Sequence, residues 1–166
     1  MRAVSNTTPL RYLIAIEQEK LLGRLFEKVF VPVAVLEELT DPKTPEAVRA
    51  RVLSMPAWFD VRAVHETEPT MFPVTLHRGE RQAILLAESL RVDALLIDEQ
   101  IGRTIALSRN LPVSGTLGLL ERADMMGFVS DFPQVLQQLK VSGFFIAATL
   151  EQLLLERHRT RRGRSL

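Results

Sequence analysis

Cysteine is absent from the 166 residues, and long runs of apolar residues are absent as well. Without cysteine the chain has no disulfide framework, no Cys-ligated zinc and no catalytic thiol. Charged or amide side chains interrupt even the apolar segments, so no run reaches the roughly 18 residues that a membrane span needs. The first residues also lack the apolar segment and cleavage site of a signal peptide. We therefore expect a cytoplasmic protein with no membrane contact.

Common nucleotide and hydrolase motifs are missing too. No GxGxxG or GxxxxGK[ST] motif follows a predicted strand, which argues against a dinucleotide site or a P-loop. No serine lies in a GxSxG context, and the histidines at positions 65, 77 and 158 lack the spacing of metal ligands or of a catalytic triad. Chemistry by a serine nucleophile is therefore not expected.

The composition is that of a globular protein, with 46% apolar and 25% charged residues. The length suits a single domain of ordinary size. A net charge of +1 conceals an asymmetry, because residues 156–166 hold five arginines and one glutamate while the rest of the chain is mildly acidic. Such a tail either contacts nucleic acid or another polyanion, or is a solvated chain end.

Strand-like and helix-like segments alternate along the chain. Residues 94–97 are continuously apolar, which is typical of a strand buried on both faces in a parallel sheet. Thr8 is predicted to cap a helix whose first residue is Pro9. The alternation predicts βαβ units with right-handed crossovers. The predicted extended segments are residues 3–5, 30–33, 58–61, 94–97 and 111–114, and the predicted helices are residues 10–16, 21–29, 34–39, 45–55, 101–109, 117–126, 132–140 and 147–157, with a further helix that begins at residues 79–80 after a loop rich in proline and threonine.

Glu80 lies at the start of the most clearly amphipathic helix. Ala83, Leu86, Ala87 and Leu90 form an i, i+3, i+4, i+7 stripe, and Glu80 is three residues before Ala83 on the same stripe. A carboxylate on the inward face is unusual. Either it faces a functional site, or it is a first-turn acid favoured by the helix dipole.

Polar side chains follow the predicted strands. Asn6 follows the first strand, Asp98 and Glu99 follow the apolar strand, and Thr116 follows the last. Ligands of open α/β sheets bind beyond the carboxyl ends of the strands. Oxygen ligands from separate elements, including Glu80, suit Mg²⁺ or Mn²⁺. The sequence therefore predicts a divalent-cation site at this edge of the sheet.

Five sequence motifs follow one another along the chain, and they are Ser5-Asn6-Thr7-Thr8-Pro9-Leu10, Val31-Pro32-x-x-Val35-x-x-Glu38, Gly79-Glu80-x-x-Ala83-Ile84-x-Leu86-Ala87, Leu96-Ile97-Asp98-Glu99-x-x-Gly102-Arg103 and Gly115-Thr116-Leu117-Gly118-Leu119-Leu120. In order and spacing, over about residues 3 to 140, these motifs resemble those of the PIN-domain proteins. The resemblance is strongest to small single-domain prokaryotic members related to VapC-like toxins. It implies an α/β fold, a three-layer α/β/α sandwich with a central parallel sheet, in which residues 1–145 are the PIN-like domain and residues 146–166 are a C-terminal helix and a basic Arg-rich tail.

The resemblance implies a metal-dependent ribonuclease with a site of clustered acids. Asn6 stands where most PIN domains have their first aspartate, and Glu38, Glu80 and Asp98 stand at the second, third and fourth acidic positions. Glu99 is an adjacent helper. The implied metal ligands for Mg²⁺ or Mn²⁺ are thus Glu38, Glu80, Asp98 and Glu99, and these acids with Asn6 form the implied catalytic set.

Several roles implied by the resemblance remain open. Glu37 is the rival of Glu38, although the spacing from Pro32 and Val35 favours Glu38. Arg103 and Thr116 are expected to contact the phosphate or to orient a ligand, and Arg81 is expected to hold the RNA backbone.

Asn6 also leaves the activity open. Loss of a carboxylate weakens binding of a hard cation, so the alternative is a catalytically weak or inactive module that binds nucleic acid or a protein. A metal-dependent phosphatase would use the same ligands. The expected partners are RNA, a small antitoxin and a second copy of the chain.

Overall fold

The computed structural model describes residues 1–66 and 72–163, and the chain divides into two compact units, residues 1–116 and 117–166. The proline- and threonine-rich loop and the basic tail predicted from the sequence therefore lie partly outside the described residues. In the described part of the first unit, five parallel strands form one sheet. They are β1 (Arg2–Ser5), β2 (Lys28–Pro32), β3 (Phe59–Arg62), β4 (Ala94–Leu96) and β5 (Val113–Ser114).

The sheet has the order β3-β2-β1-β4-β5. Val4 in β1 is in register with Phe30 of β2 on one side and with Leu95 of β4 on the other. From β1 the chain first moves outward to β2 and β3, and it then returns to the opposite side to form β4 and β5. The direction of winding therefore reverses between β1 and β4, which is the topological switch point of a doubly wound sheet.

Helices connect all of these strands. Because parallel strands require right-handed crossovers, the reversal of winding places helices on both faces of the sheet. The predicted three-layer α/β/α fold is thereby confirmed. In the described part of the first unit the helices are α1 (Thr7–Ala15), α2 (Lys20–Leu25), α3 (Val33–Thr40), α4 (Glu46–Leu53), α5 (Arg78–Leu90) and α6 (Gln100–Ser108).

Two local sequence predictions are wrong. The helix expected at residues 21–29 ends at Leu25, where the N–H of Phe26 bonds to the carbonyl of Leu22, and β2 already begins at Lys28. Residues 28–32 pair with both β1 and β3, and this pairing stabilises the apolar segment more than a further helical turn would. The cap is also shifted, because α1 begins at Thr7 with Asn6 at its N-cap, and Thr8 is inside the helix.

The core of the first unit lies between the sheet and its helices. β4 is buried along its whole length, as the continuous apolar run predicts. Buried apolar side chains of the sheet and its helices form one core cluster. Each fully buried leucine or isoleucine contributes roughly 1.5 to 3 kcal/mol to stability relative to an exposed one, so the cluster holds the ends of the strands in place. Its buried members include Val4, Phe30, Leu76, Ala83, Ile84, Ala87, Leu95, Ile97 and Ala106.

The second unit is helical in its described part. α8 packs against α9, and Lys140 of α8 makes an ion pair with Glu151 of α9, at 2.9 Å between Nζ and Oε2. None of the helices in the described ranges is both long enough and apolar enough to pass through a membrane. The remaining helices are α7, which begins with the last residue of the first unit (Thr116–Met125), α8 (Phe132–Val141) and α9 (Ala148–Gly163).

A buried polar cluster occupies the second unit. His158 of α9 stacks on Phe132 of α8, with ring centroids 5.4 Å apart. Its Nδ1 lies 2.9 Å from Oδ2 of Asp124 in α7, and Arg161 donates to the same carboxylate at 2.6 Å. The aspartate is therefore balanced by two groups of α9, and these contacts join all three helices.

Candidate active site

The carboxyl ends of β1 and β4 bring the polar residues of two distant chain segments together. The N–H of Asn6, directly after β1, bonds to the carbonyl of Leu96 at the end of β4, at 2.9 Å. Asp98 and Glu99 follow at the end of β4. Because β1 and β4 meet at the switch point, this is the edge where an open α/β sheet binds its ligand.

Glu38 is held at the site by two neighbours. The hydroxyl of Thr7, in the first turn of α1, donates a hydrogen bond to Oε2 of Glu38. Oε1 lies beside Gly79, where a Cβ would be only 2.6 Å away. The rival residue Glu37 instead makes an ion pair with Arg78 at 2.6 Å and is 57% exposed. Of these two acids, Glu38 therefore lies among the other site residues.

Glu80 caps the start of its helix, and its second oxygen lies close to the other acids; its functional role stays a prediction. One oxygen, Oε2, accepts a hydrogen bond from the N–H of His77 at 2.8 Å, so Glu80 stabilises the start of α5. The other oxygen lies 3.0 Å from where a Cβ of Gly102 would be. The residue is only 5% exposed. Burial raises the pKa of this carboxyl, and the charges of Glu99 and Glu38 raise it further against the opposing His77 bond.

Asp98 is oriented by the start of α7. The N–H of Thr116 donates to Oδ1 at 2.8 Å, and its hydroxyl donates to Oδ2 at 2.6 Å. Burial raises the pKa of Asp98 and the charge of Glu99 adds to this, although the Thr116 bonds and the nearby Arg103 lower it. Thr116 is completely buried. Thr116 therefore orients Asp98, and its role toward a ligand or a phosphate stays a prediction.

Asn6, Thr8 and Glu99 form one connected group. Nδ2 of Asn6 donates to Oε2 of Glu99 at 3.0 Å, and the hydroxyl of Thr8 donates to Oε1. Asn6 is 2% exposed, and its Oδ1 has no hydrogen-bond partner among the described residues. A buried amide oxygen without a partner costs about 1 to 3 kcal/mol, so a bound group that it contacts is favoured at this position.

The two arginines expected to contact the substrate, Arg103 and Arg81, have different hydrogen-bond partners. Arg103 donates to the carbonyl of Ile97 at 2.9 Å and lies close enough to Asp98 to lower its pKa. Arg81 donates to Glu66 at 3.2 Å and to the carbonyl of Leu76 at 2.8 Å. Contact of Arg81 with RNA therefore stays a prediction, and it would require exchange of the Glu66 partner.

The acids of the candidate site bind protein hydrogen-bond donors and do not have the arrangement of a preformed metal centre. Among the described residues, no group of three or more His, Cys, Asp or Glu side chains has the spacing of a metal centre. Glu38, Glu80, Asp98 and Glu99 each accept hydrogen bonds from protein groups instead. The chemistry of the set nevertheless fits Mg²⁺ or Mn²⁺, because it consists of oxygen donors with a buried, unpartnered amide oxygen among them.

The two threonines that follow Asn6 and the glycines that border the acids were not predicted as site residues, and Thr8 was predicted only as a helix cap. Thr7 and Thr8 bond to Glu38 and Glu99, which are 31 and 91 residues away along the chain. The signal was their position directly after a strand that ends at the site. Their partners depend on tertiary packing, which the sequence does not display.

The five-stranded parallel sheet and the acidic edge at its switch point define a small α/β/α protein with a nuclease-type fold. The family model for the PIN domain matches residues 2–160. The chain belongs to the PIN-domain family. Proteins of this family generally bind nucleic acid and use divalent metals. No curated protein that was compared with the chain matches it.

Proposed function

We propose that the protein is a Mg²⁺- or Mn²⁺-dependent ribonuclease that hydrolyses RNA phosphodiester bonds at the carboxyl ends of β1 and β4. The observation that carries this proposal is the meeting of acids from three separate elements beside an unpartnered buried amide oxygen. Burial and mutual repulsion raise the pKa of Glu80, which is the electrostatic condition that a bound cation relieves. The residues proposed to hold the cation are Glu38, Glu80, Asp98, Glu99 and Asn6.

The chain's own residues orient the site. Thr116 fixes both oxygens of Asp98, and Thr7 fixes one oxygen of Glu38, so the carboxylates are held before any ligand binds. A bound Mg²⁺ or Mn²⁺ supplies an activated water and neutralises charge on the phosphate. Arg103, beside Asp98, is the side chain proposed to contact the phosphate of the substrate. No side chain acts as a covalent nucleophile.

The experiment is an RNA-cleavage assay in Mn²⁺ with the combined Glu80→Gln and Asp98→Asn variant. We expect cleavage to fall to background, because two of the charged ligands are lost, while one acceptor oxygen of each side chain is kept for the bonds from His77 and Thr116. Glu37→Gln is the matched control, since Glu37 is a neighbouring acid that pairs with Arg78 instead, and it should cleave like the natural protein. Persistent cleavage by the double variant would show that these acids are not the site.

A second candidate function is a PIN domain that binds nucleic acid or a protein without cutting. The observation that favours it is the neutral Asn6 at the end of β1, since an amide attracts a divalent cation less than a carboxylate does. Cleavage and Mn²⁺ binding that arise only in Asn6→Asp would favour this candidate. Cleavage by the natural protein would exclude it.

From the family resemblance, we also propose that the chain acts as the toxin of a toxin–antitoxin pair, with a small antitoxin partner, and that it forms a homodimer. Arrest of growth on expression of the natural chain, but not of the Glu80→Gln and Asp98→Asn variant, is the expected result. Light scattering of the purified chain measures whether it is a homodimer. Normal growth on expression would contradict the toxin role, and a monomeric mass would contradict the homodimer.

A further inference from the structure

The orientation of the Asn6 amide follows from its contact with Glu99. Nδ2 lies 3.0 Å from Oε2 of Glu99 and donates to it. A flipped amide would set two oxygens against each other at the same distance, so the charge of Glu99 selects the orientation. Oδ1 is consequently the atom left without a partner. Glu99 thus determines which atom of Asn6 is available to a ligand.

Glu99 is itself held by two residues at the start of α1. Thr8 donates to Oε1 and Asn6 donates to Oε2, so the two residues bind the two oxygens of one carboxylate. Each carboxylate oxygen can accept more than one contact, so these bonds do not exhaust Glu99. Burial raises the pKa of Glu80 and of Asp98, and the negative charge of Glu99 raises both further.

A carboxylate at position 6 would be incompatible with this arrangement in the absence of a cation. It would place two like charges about 3 Å apart in a half-buried setting, where repulsion is strong. Asn6 and Glu99 are therefore complementary, because one provides a neutral donor at the end of β1 and the other provides the charge at the end of β4.

We infer that Glu99 supplies to the cation site the negative charge that Asn6 lacks, and that Asn6 and Thr8 are positioning residues for Glu99. The inference rests on the proposed function, since it assigns a role within the same site. The negative charge expected at the end of β1 is thus found at the end of the adjacent strand β4. A purely structural role for Glu99, as an anchor for the first turn of α1, is the competing interpretation.

The experiment compares the natural chain with Asn6→Asp, Glu99→Gln and the doubly substituted protein. Mn²⁺ binding is measured by calorimetry, and thermal unfolding is measured in a chelator. Glu99→Gln should weaken Mn²⁺ binding about tenfold or more. The double substitution should restore most of the affinity, because the amide and the carboxylate have then exchanged places and one N–H···O bond is kept. Asn6→Asp alone should lower the metal-free melting temperature through the added repulsion.

Two comparisons separate this inference from the proposed function. Glu37→Gln, which removes an equal charge outside the site, should leave the Mn²⁺ affinity unchanged. Natural affinity in Glu99→Gln, or no recovery in a double variant that melts like the natural chain, would overturn the inference and leave the metal site intact. If the double variant does not fold, Thr8→Val decides the question, since loss of the hydroxyl should weaken Mn²⁺ binding and unchanged binding would overturn the inference. Failure of the natural chain to bind Mn²⁺ would overturn the proposed function and the inference with it.

Discussion

Three glycines border three of the acidic side chains at the candidate site. Gly79 lies against Glu38, Gly102 lies near Glu80, and a Cβ at Gly115 would be 2.7 Å from Oδ1 of Asp98. At Gly79 the three atoms nearest to an added Cβ all belong to the carboxyl group of Glu38, whereas at Gly102 the added Cβ would meet Ile97 first. Because the end of a glutamate side chain moves easily, Gly79→Ala is expected to displace Glu38 more readily than it disturbs the backbone.

Gly79→Ala is therefore expected to separate the site from the stability of the fold. Alanine is favoured over glycine in a helix by up to about 1 kcal/mol, and position 79 lies in α5, so the free energy of unfolding should stay equal or rise. The Cβ would lie 2.6 Å from Oε1 of Glu38, so Mn²⁺ affinity should fall about tenfold. Calorimetry and chemical unfolding measure the two effects.

The control for this variant is Gly163→Ala in α9, where no atom of the described part of the chain lies within 4 Å of the added Cβ. It should change neither Mn²⁺ binding nor activity. Unchanged Mn²⁺ affinity in Gly79→Ala would show that Glu38 does not need its present position.

At the scale of elements, much of the layout follows from the sequence, but the ends of elements do not. The apolar run at residues 94–97 and the stripe after Glu80 predict β4 and α5, because burial sets their pattern. The end of α2 was missed because strand pairing with β1 and β3 overrides a helical pattern of apolar residues. The Thr8 cap failed for a similar reason, since Thr8 bonds to Glu99 instead.

Only part of the candidate site could likewise be predicted from the sequence. Position after a strand predicts that Asn6, Asp98 and Glu99 lie at one edge, because parallel strands end together. The bonds from Thr7 to Glu38 and from Thr8 to Glu99 depend on how α1 meets α3 and α6. That packing has no signature in the local sequence.

The ends of α5 and β4 give a pH prediction for the metal-free protein. The pKa values of Glu80 and Asp98 are raised on folding, so the folded state binds more protons than the unfolded chain above the unfolded pKa values of about 3.9 to 4.3. Stability therefore falls as pH rises from these values through the folded pKa values, and it stays lower above them.

Glu80→Gln combined with Asp98→Asn removes this loss of stability. In chelator, the double variant should melt at a higher temperature than the natural protein at pH 7, and the two curves should converge near pH 4. Glu37→Gln is the control, because an exposed ion pair contributes little. A lower melting temperature of the double variant at every pH would show that the acids stabilise the fold.

At the scale of the whole molecule, charge of opposite sign is concentrated in different parts of the chain. The acids of the candidate site lie near the ends of β1 and β4 in the first unit, whereas α9 of the second unit is rich in arginine. The sequence predicts a basic C-terminal segment and a mildly acidic remainder. It does not predict that Arg161 and His158 would be used within their own unit, where both bind Asp124.

The central claim is that one divalent cation binds where β1 and β4 end. The most direct measurement is anomalous diffraction at the manganese edge from crystals of the natural protein soaked in Mn²⁺. The account predicts a single strong peak within about 2.5 Å of Oδ1 of Asn6 and of carboxylate oxygens from Glu80 and Asp98. No peak at this edge of the sheet, or a peak only at other acids of the surface, would contradict it.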